Sequence, residues 1–182
     1  ILKGYFDRFK NAVVALSGGA DSSYLLYLAS NYLGKKNVVA VTAINEHVFR
    51  YEIENAKKVA KLLDVKWIGF NADMDENFFK NDSLRCYYCK KSFLKKIDEI
   101  RISLGYSHIF DGSNLDDLSE ERPGRKALKE FSVVSPFIDL LMDKNAISAG
   151  LKNSPLKNIS FIRESCKATR LVNIPIDYSI IN

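Results

Sequence analysis

The 182-residue chain is poor in the residues that mark several protein classes. It has three cysteines and two histidines. Three thiols are too few, and odd in number, for a secreted disulfide framework. No apolar run approaches the roughly 20 residues needed to span a bilayer. The GK[ST] ending of a Walker phosphate loop and the dinucleotide fingerprint GxGxxG are both missing, which disfavours P-loop kinases, GTPases and classical dinucleotide binders. There is no internal repeat and no low-complexity linker. Neither charge sign dominates: 27 Lys+Arg against 22 Asp+Glu leaves +5, which suits an anionic ligand without proving nucleic acid. With 47% hydrophobic and 27% charged residues, disorder and collagen-like repeats are excluded. The length suits one domain with a real core and is too short for two full ones. The chain begins at Ile1 rather than Met, which leaves a trimmed start and a short leader open. A single cytoplasmic domain with no membrane association is expected.

The pattern that is present alternates strands and helices. Asn11 to Leu16 is an apolar, β-branched run that stops at Ser17-Gly18-Gly19. Ala20 to Leu33 carries Leu25, Leu26, Leu28, Ala29 and Leu33 at helical spacing, with Gly34 as its stop. Residues 37–44 read as a second strand, 52–63 as an amphipathic helix and 65–70 as a third strand. Residues 88–104 read as a basic amphipathic helix, 107–111 as a fourth strand and 133–136 as a short fifth. Strands separated by helical stretches predict an α/β fold: a parallel five-stranded sheet with helices on both faces. Ligands bind such sheets at the carboxyl ends of the strands. The pattern weakens from Lys144 to Asn158. The apolar, β-prone tail after Arg170 reads as an edge strand, a packing arm or an oligomer contact. Residues 1–143 would form the nucleotide domain, and 144–182 an extension carrying the third cysteine.

The most informative segment is Ser17-Gly18-Gly19-Ala20-Asp21-Ser22-Ser23, between a strand and a helix. Two glycines let the backbone approach an anion, and the N–H groups of a helix start favour negative charge. The three serines add hydroxyl donors, and Asp21 is a candidate for holding Mg²⁺ against phosphate oxygens. The bland alternative is a plain glycine turn before a helix.

Cys86 and Cys89 form one CxxC at the start of the basic helix, and Cys166 lies far downstream. Thiols one helical turn apart can share a metal. Structural zinc would need a fourth ligand from His47, His108 or a carboxylate. A redox pair, a three-thiolate iron–sulfur cluster with one open iron, and three unrelated buried cysteines are the other readings. Asp116 and Asp117 follow a strand end and could assist Mg²⁺ or a leaving pyrophosphate, or Asn114 and Asp116 could simply cap the next helix. Arg122, Arg125 and Lys126 could clamp a phosphate or carboxylate, or form a solvated turn. Seven basic and three acidic residues from Lys80 to Arg101, with Tyr87 and Tyr88, could face RNA or merely water. His47 and His108 read as packing or surface residues, and Trp67 as core.

SGGADSS resembles the SGGxDS signature of the PP-loop ATP pyrophosphatases, which include NAD and GMP synthetases, asparagine synthetase and tRNA thiolases. The resemblance implies a HUP-type fold and ATP cleavage between the α and β phosphates, giving an adenylylated substrate from which a nucleophile displaces AMP. Ser17, Gly18, Gly19, Asp21, Ser22 and Ser23 would bind ATP, and Val41, Thr42 and Ala43 would line the adenine. The further elements RCYYCKK, DGSNLDD, RPGRKAL and SCKATR follow in the order seen in the LarE family of ATP-dependent sulfur transferases, and the resemblance covers nearly the whole chain. It implies conversion of the carboxylates of pyridinium-3,5-biscarboxylic acid mononucleotide, a small anionic nucleotide-like substrate, to thiocarboxylates. Members with one cysteine, matching Cys166, give up its sulfur. Those with three, matching Cys86, Cys89 and Cys166, hold a [4Fe-4S] cluster recharged by sulfide or another sulfur donor. The three-cysteine pattern implies the second chemistry, with Asp117 near the phosphates and Arg122, Arg125 and Arg170 on anionic groups. Typical members continue for about half a domain past the last element, where this chain reads Leu171-Val172-Asn173-Ile174 and stops at Asn182. A homo-oligomer is expected. The alternatives are a cluster-dependent tRNA thiolase and a zinc-stapled nucleotide-binding module without turnover.

Overall fold

Short runs of Val, Ile and Ala build the sheet: β1 (Ala12–Ala15), β2 (Val38–Ala43), β3 (Lys66–Phe70) and β4 (Ile109–Phe110). The computed structural model describes residues 1–162, 166–171 and 174–181. All pairings are parallel, in the order β3-β2-β1-β4. Chain order therefore reverses at β1, which opens a crevice between the loops that leave β1 and β4.

Side-chain alternation divides the core. Ala12 and Val14 point into one apolar layer, and Val13 into the other. The first layer is closed by α1 (Leu2–Phe6), α2 (Ala20–Leu33), α3 (Arg50–Leu62), α7 (Pro136–Asp139) and α8 (Lys144–Lys152), through Phe6, Leu25, Val59, Phe137 and Ile147. The second is closed by α5 (Arg85–Leu104) and α6 (Gly124–Glu130), through Leu94, Ile97 and Ala127. Covered on both faces, β1 and β2 are nearly continuous apolar runs, as a buried parallel sheet requires. A smaller cluster joins Phe78 of α4 (Glu76–Phe79) to Ala168, Ile176 and Ile181 of α9 (Tyr178–Ile181). Among the described residues no helix is long and apolar enough to cross a membrane.

Among the described residues the sheet has four strands, not the expected five. Residues 133–136 contribute a single bridge, Phe110 to Val134. Ser132 turns the chain with φ 52°, and Pro136 starts α7, so only Val134 remains free to pair. The weak 144–158 segment contains α8, whose N-terminus is capped by the Asp143 side chain accepting from Ala146 N–H. The described part of the tail is not a strand. It packs as an arm, with Ile176 N–H donating to the Phe79 carbonyl at 2.7 Å. Ser165, Val172, Asn173 and Asn182, parts of the downstream motif and tail, lie outside the described residues.

Candidate active site

The loop after β1 is shaped by glycine. Gly18 has φ +85°, and a Cβ there would collide with the Glu52 carbonyl at the start of α3. Gly19 occupies the N-cap of α2 without a side chain to cap it, so the positive end of a 14-residue helix opens at the loop. Ser22 Oγ accepts from Ser17 N–H at 3.1 Å and lies 3.0 Å from Ser17 Oγ, which accepts from Gly19 N–H at 3.2 Å. These contacts hold the turn in place.

The loop after β4 faces it at close range, since a Cβ on Gly112 would stand 2.8 Å from Ser22 N. Asp111 accepts from the hydroxyls of Ser113 and Ser135, both at 2.6 Å. Asn114 caps the 3-10 turn Leu115–Ser119 in a reciprocal box with Asp117 and donates from Nδ2 to Asp21 Oδ2 at 3.0 Å. The capping reading of Asn114 is therefore realised, and the same residue ties the two loops together. Asp117 also pairs with Arg122 at 3.0 Å, and Arg122 grips Glu120 at 2.6 Å.

From β2 comes Thr42, whose hydroxyl donates to the Leu16 carbonyl at 2.7 Å and accepts from Trp67 Nε1 at 2.8 Å. Thr42 thus lines the site with its hydroxyl already committed. Beyond it, Asn45 braces the loop by two hydrogen bonds to the backbone of Ala72. That loop brings in His47, which is 1% exposed. His47 Nε2 lies 3.3 Å from Cys89 Sγ, and Nδ1 lies 3.0 Å from the Tyr178 hydroxyl.

These loops enclose one pocket of about 370 Å³, a volume typical of small-molecule sites. Ser17, Asp21, Ser22, Asp111 and Asp117 line part of it, and Thr42, His47, Cys89 and Cys166 another. Burial, followed by the neighbouring Cys166 thiol, pushes Cys89 up to about 12, against the opposing pull of Lys90. Burial, with Lys167 nearby, lowers His47 to about 4. Cys86 is exposed one turn before Cys89 and is absent from the pocket wall. All three thiols are free. Among the described residues, no group of three or more His, Cys, Asp and Glu side chains is already gathered around a metal position. Arg122 and Arg125 line a separate surface groove with Lys126 and Lys129, and Arg170 stacks over Phe49 at 4.8 Å. Lys90 and Glu52 are pocket residues that motif reading passed over. His47, expected only as a fourth zinc ligand or as a packing or surface residue, joins them. For His47 a signal existed: it follows the carboxyl end of β2, the edge where such sheets bind ligands.

Comparison with known proteins bears on this pocket, since the NAD synthase family matches residues 4–95. The chain belongs to the NAD synthase family. The match takes in the Ser17–Ser23 loop, Cys86 and Cys89, and stops well before Cys166. An uncharacterized protein of Synechocystis sp. is 34% identical over 150 residues, which are 79% of this chain and 54% of that protein. The pyridinium-3,5-bisthiocarboxylic acid mononucleotide synthase of Lactiplantibacillus plantarum is 33% identical over 123 residues, 66% of this chain and 45% of the synthase. The chain therefore spans about half the length of these two relatives. The U34-tRNA thiolase NcsA of Methanococcus maripaludis, solved with its [4Fe-4S] cluster, superposes with TM-score 0.64 at 17% identity. The alignment covers 99% of this chain and 69% of NcsA. That likeness establishes the Rossmann-like α/β fold.

Proposed function

We propose that this chain is the ATP-binding and thiol-bearing part of an ATP-dependent sulfur transferase acting on a carboxylate of a small anionic, nucleotide-like molecule. One observation carries the reading: Ser17, Asp21, Ser22 and Asp117 share a single pocket with Cys89 and Cys166. Activation and sulfur delivery thus have one address. The name of the Lactiplantibacillus relative supplies the acceptor class.

In this reading the Ser17–Ser23 loop and the α2 N-terminus bind the β and γ phosphates, and Asp21, oriented by Asn114, holds Mg²⁺. A substrate carboxylate oxygen attacks the α-phosphorus, and the bond to the β-phosphate oxygen breaks. Pyrophosphate leaves into the loop and an acyl-adenylate remains. Hydrosulfide then attacks the acyl carbon, AMP departs with the carboxylate oxygen, and a thiocarboxylate forms. Arg122 holds Asp117 in place beside the phosphates, whereas Arg125 in its separate groove and Arg170 over Phe49 do not line this pocket.

Cys86, Cys89 and Cys166 would hold a [4Fe-4S] cluster. The donor set fits: three free thiols, two on the pocket wall and the third one turn before Cys89 on α5. A protonated, buried Cys89 is by contrast a poor nucleophile on its own. When bound, such a cluster supplies an iron without a protein ligand, at which hydrosulfide can be held.

The test is anaerobic purification followed by incubation with ATP, Mg²⁺, sulfide and pyridinium-3,5-biscarboxylic acid mononucleotide. Iron and labile sulfide in the protein, with AMP and pyrophosphate released in equal amounts, are expected. Zinc without iron, and no pyrophosphate, would instead mark a zinc-stapled nucleotide-binding module.

A second reading, tRNA thiolation, is favoured by the basic side chains on one surface. Tyr87 beneath them is buried and donates to Glu130, so it does not face RNA as a stacking ring. Lys126 and Lys91 stand 5.0 and 5.6 Å from its ring centre, beside the Arg122, Arg125 and Lys129 groove. It agrees with the stated activity of NcsA. It requires tRNA binding that weakens steeply with salt.

A further inference from the structure

The chemistry above makes no use of His47. Its ring stacks with Phe93 (centroids 5.4 Å apart, planes at 15°) and with Tyr178 (5.8 Å, 10°), and Phe78 lies 4.8 Å away. Its carbonyl accepts from Lys167 N–H at 3.2 Å, which ties it to the residue after Cys166. Both ring nitrogens are engaged, Nε2 with Cys89 Sγ and Nδ1 with the Tyr178 hydroxyl. A ring enclosed on these terms cannot turn away from the thiol without losing two hydrogen bonds and its stacking.

The donor and acceptor chemistry sets the direction of this relay. A thiolate that ligates a metal carries no proton and can only accept. Nε2 must then hold the imidazole proton, and Nδ1 must accept. The Tyr178 hydroxyl, 3.0 Å from Nδ1, supplies the matching donor. We infer that His47 is a positioning residue for the metal centre: Nε2–H donates to the Cys89 thiolate, and Tyr178 locks the tautomer that makes this possible. The inference rests on the thiol assignment proposed above. Partners of metal ligands commonly orient the ligand and tune the metal in this way. A donor to the sulfur withdraws negative charge from the iron. The centre is then easier to reduce, and its open iron holds hydrosulfide more tightly.

His47→Phe keeps an aromatic ring in the stack and deletes both nitrogens, while Tyr178→Phe deletes only the hydroxyl. Wild type and both variants are reconstituted anaerobically and compared at matched iron and labile sulfide. The midpoint potential of His47→Phe should be more negative than that of wild type. Its hydrosulfide affinity should fall about three- to tenfold, less than the whole worth of a charge-assisted hydrogen bond because the bond is also made before hydrosulfide binds. Tyr178→Phe should shift both readouts in the same direction by less. An unchanged potential and affinity in His47→Phe at full iron content would reduce the residue to packing and overturn the inference. If His47→Phe takes up less iron, Tyr178→Phe decides by the same two readouts. A second measurement needs no cluster: nitrogen NMR of the isotope-labelled chain loaded with cadmium, an ion that keeps Cys89 as thiolate. The Nε2–H tautomer is expected, and either the Nδ1–H tautomer or direct coupling between His47 and cadmium refutes it. A wild type that takes up no iron–sulfur cluster sinks the cluster reading alone, and the cadmium experiment still decides His47.

Discussion

Gly18→Ala tests the proposed phosphate loop most directly. The residue sits at φ +85°, where a Cβ costs about 1–3 kcal/mol. The new Cβ would also press into the Glu52 carbonyl, whose carbon would lie at 2.8 Å. Those are backbone atoms, so relief requires moving the first turn of α3 against the loop. Such overpacking costs about 1–3 kcal/mol more. Together the two effects predict a loss of roughly 2–6 kcal/mol, or roughly 5–20 °C in Tm for a chain of this size. Nucleotide affinity should fall by about tenfold or more, because the displaced turn carries the N–H groups proposed to meet phosphate. The assay is urea unfolding followed by calorimetric titration with ATP. Gly4→Ala is the control: it lies inside α1, its Cβ would meet nothing within 4 Å, and stability should hold or rise by up to about 1 kcal/mol. A Gly18→Ala protein within about 0.5 kcal/mol of wild type, binding ATP normally, would refute the argument from steric closure.

Other expectations follow from the same site. Burial holds the folded-state pKa of His47 near 4, below its ordinary 6.5. The unfolded chain therefore binds the proton first, and the stability this gives the metal-free protein, present above about 6.5, is lost as pH falls toward 4. The loss is at most about 3 kcal/mol, and denaturant titrations at neutral and mildly acid pH should show it shrinking in His47→Phe. Thr42→Val removes the donor to the Leu16 carbonyl and the acceptor for Trp67 Nε1. It should cost about 2–4 kcal/mol with little change in volume, and a near-neutral unfolding curve would contradict it. Cys89→Ala should leave the fold intact by circular dichroism and abolish most iron and labile-sulfide uptake. Full uptake would remove Cys89 from the ligand set.

What the sequence determined was local. The strand–SGGADSS–helix order is a matter of neighbouring residues, so β1, the turn and α2 were legible, as were the buried helix faces. The family resemblance also lay in contiguous words. Where a segment's conformation depends on distant partners, the local pattern misled. Residues 133–136 have strand chemistry, but the turn at Ser132 and the helix beginning at Pro136 leave room for one bridge. Residues 174–181 look β-prone, yet Ile176 and Ile181 find burial against Phe78, and α9 forms there. Tertiary structure alone decided which groups meet. Asn114 reaches Asp21 across 93 positions of chain, and His47 reaches Cys89 across 42. Such pairs leave no periodicity to read, because their contact is set by the strand order β3-β2-β1-β4 and the loops that order brings to one edge. A histidine that looked like packing is packed, and its two nitrogens still point at chemistry that only the folded chain assembles.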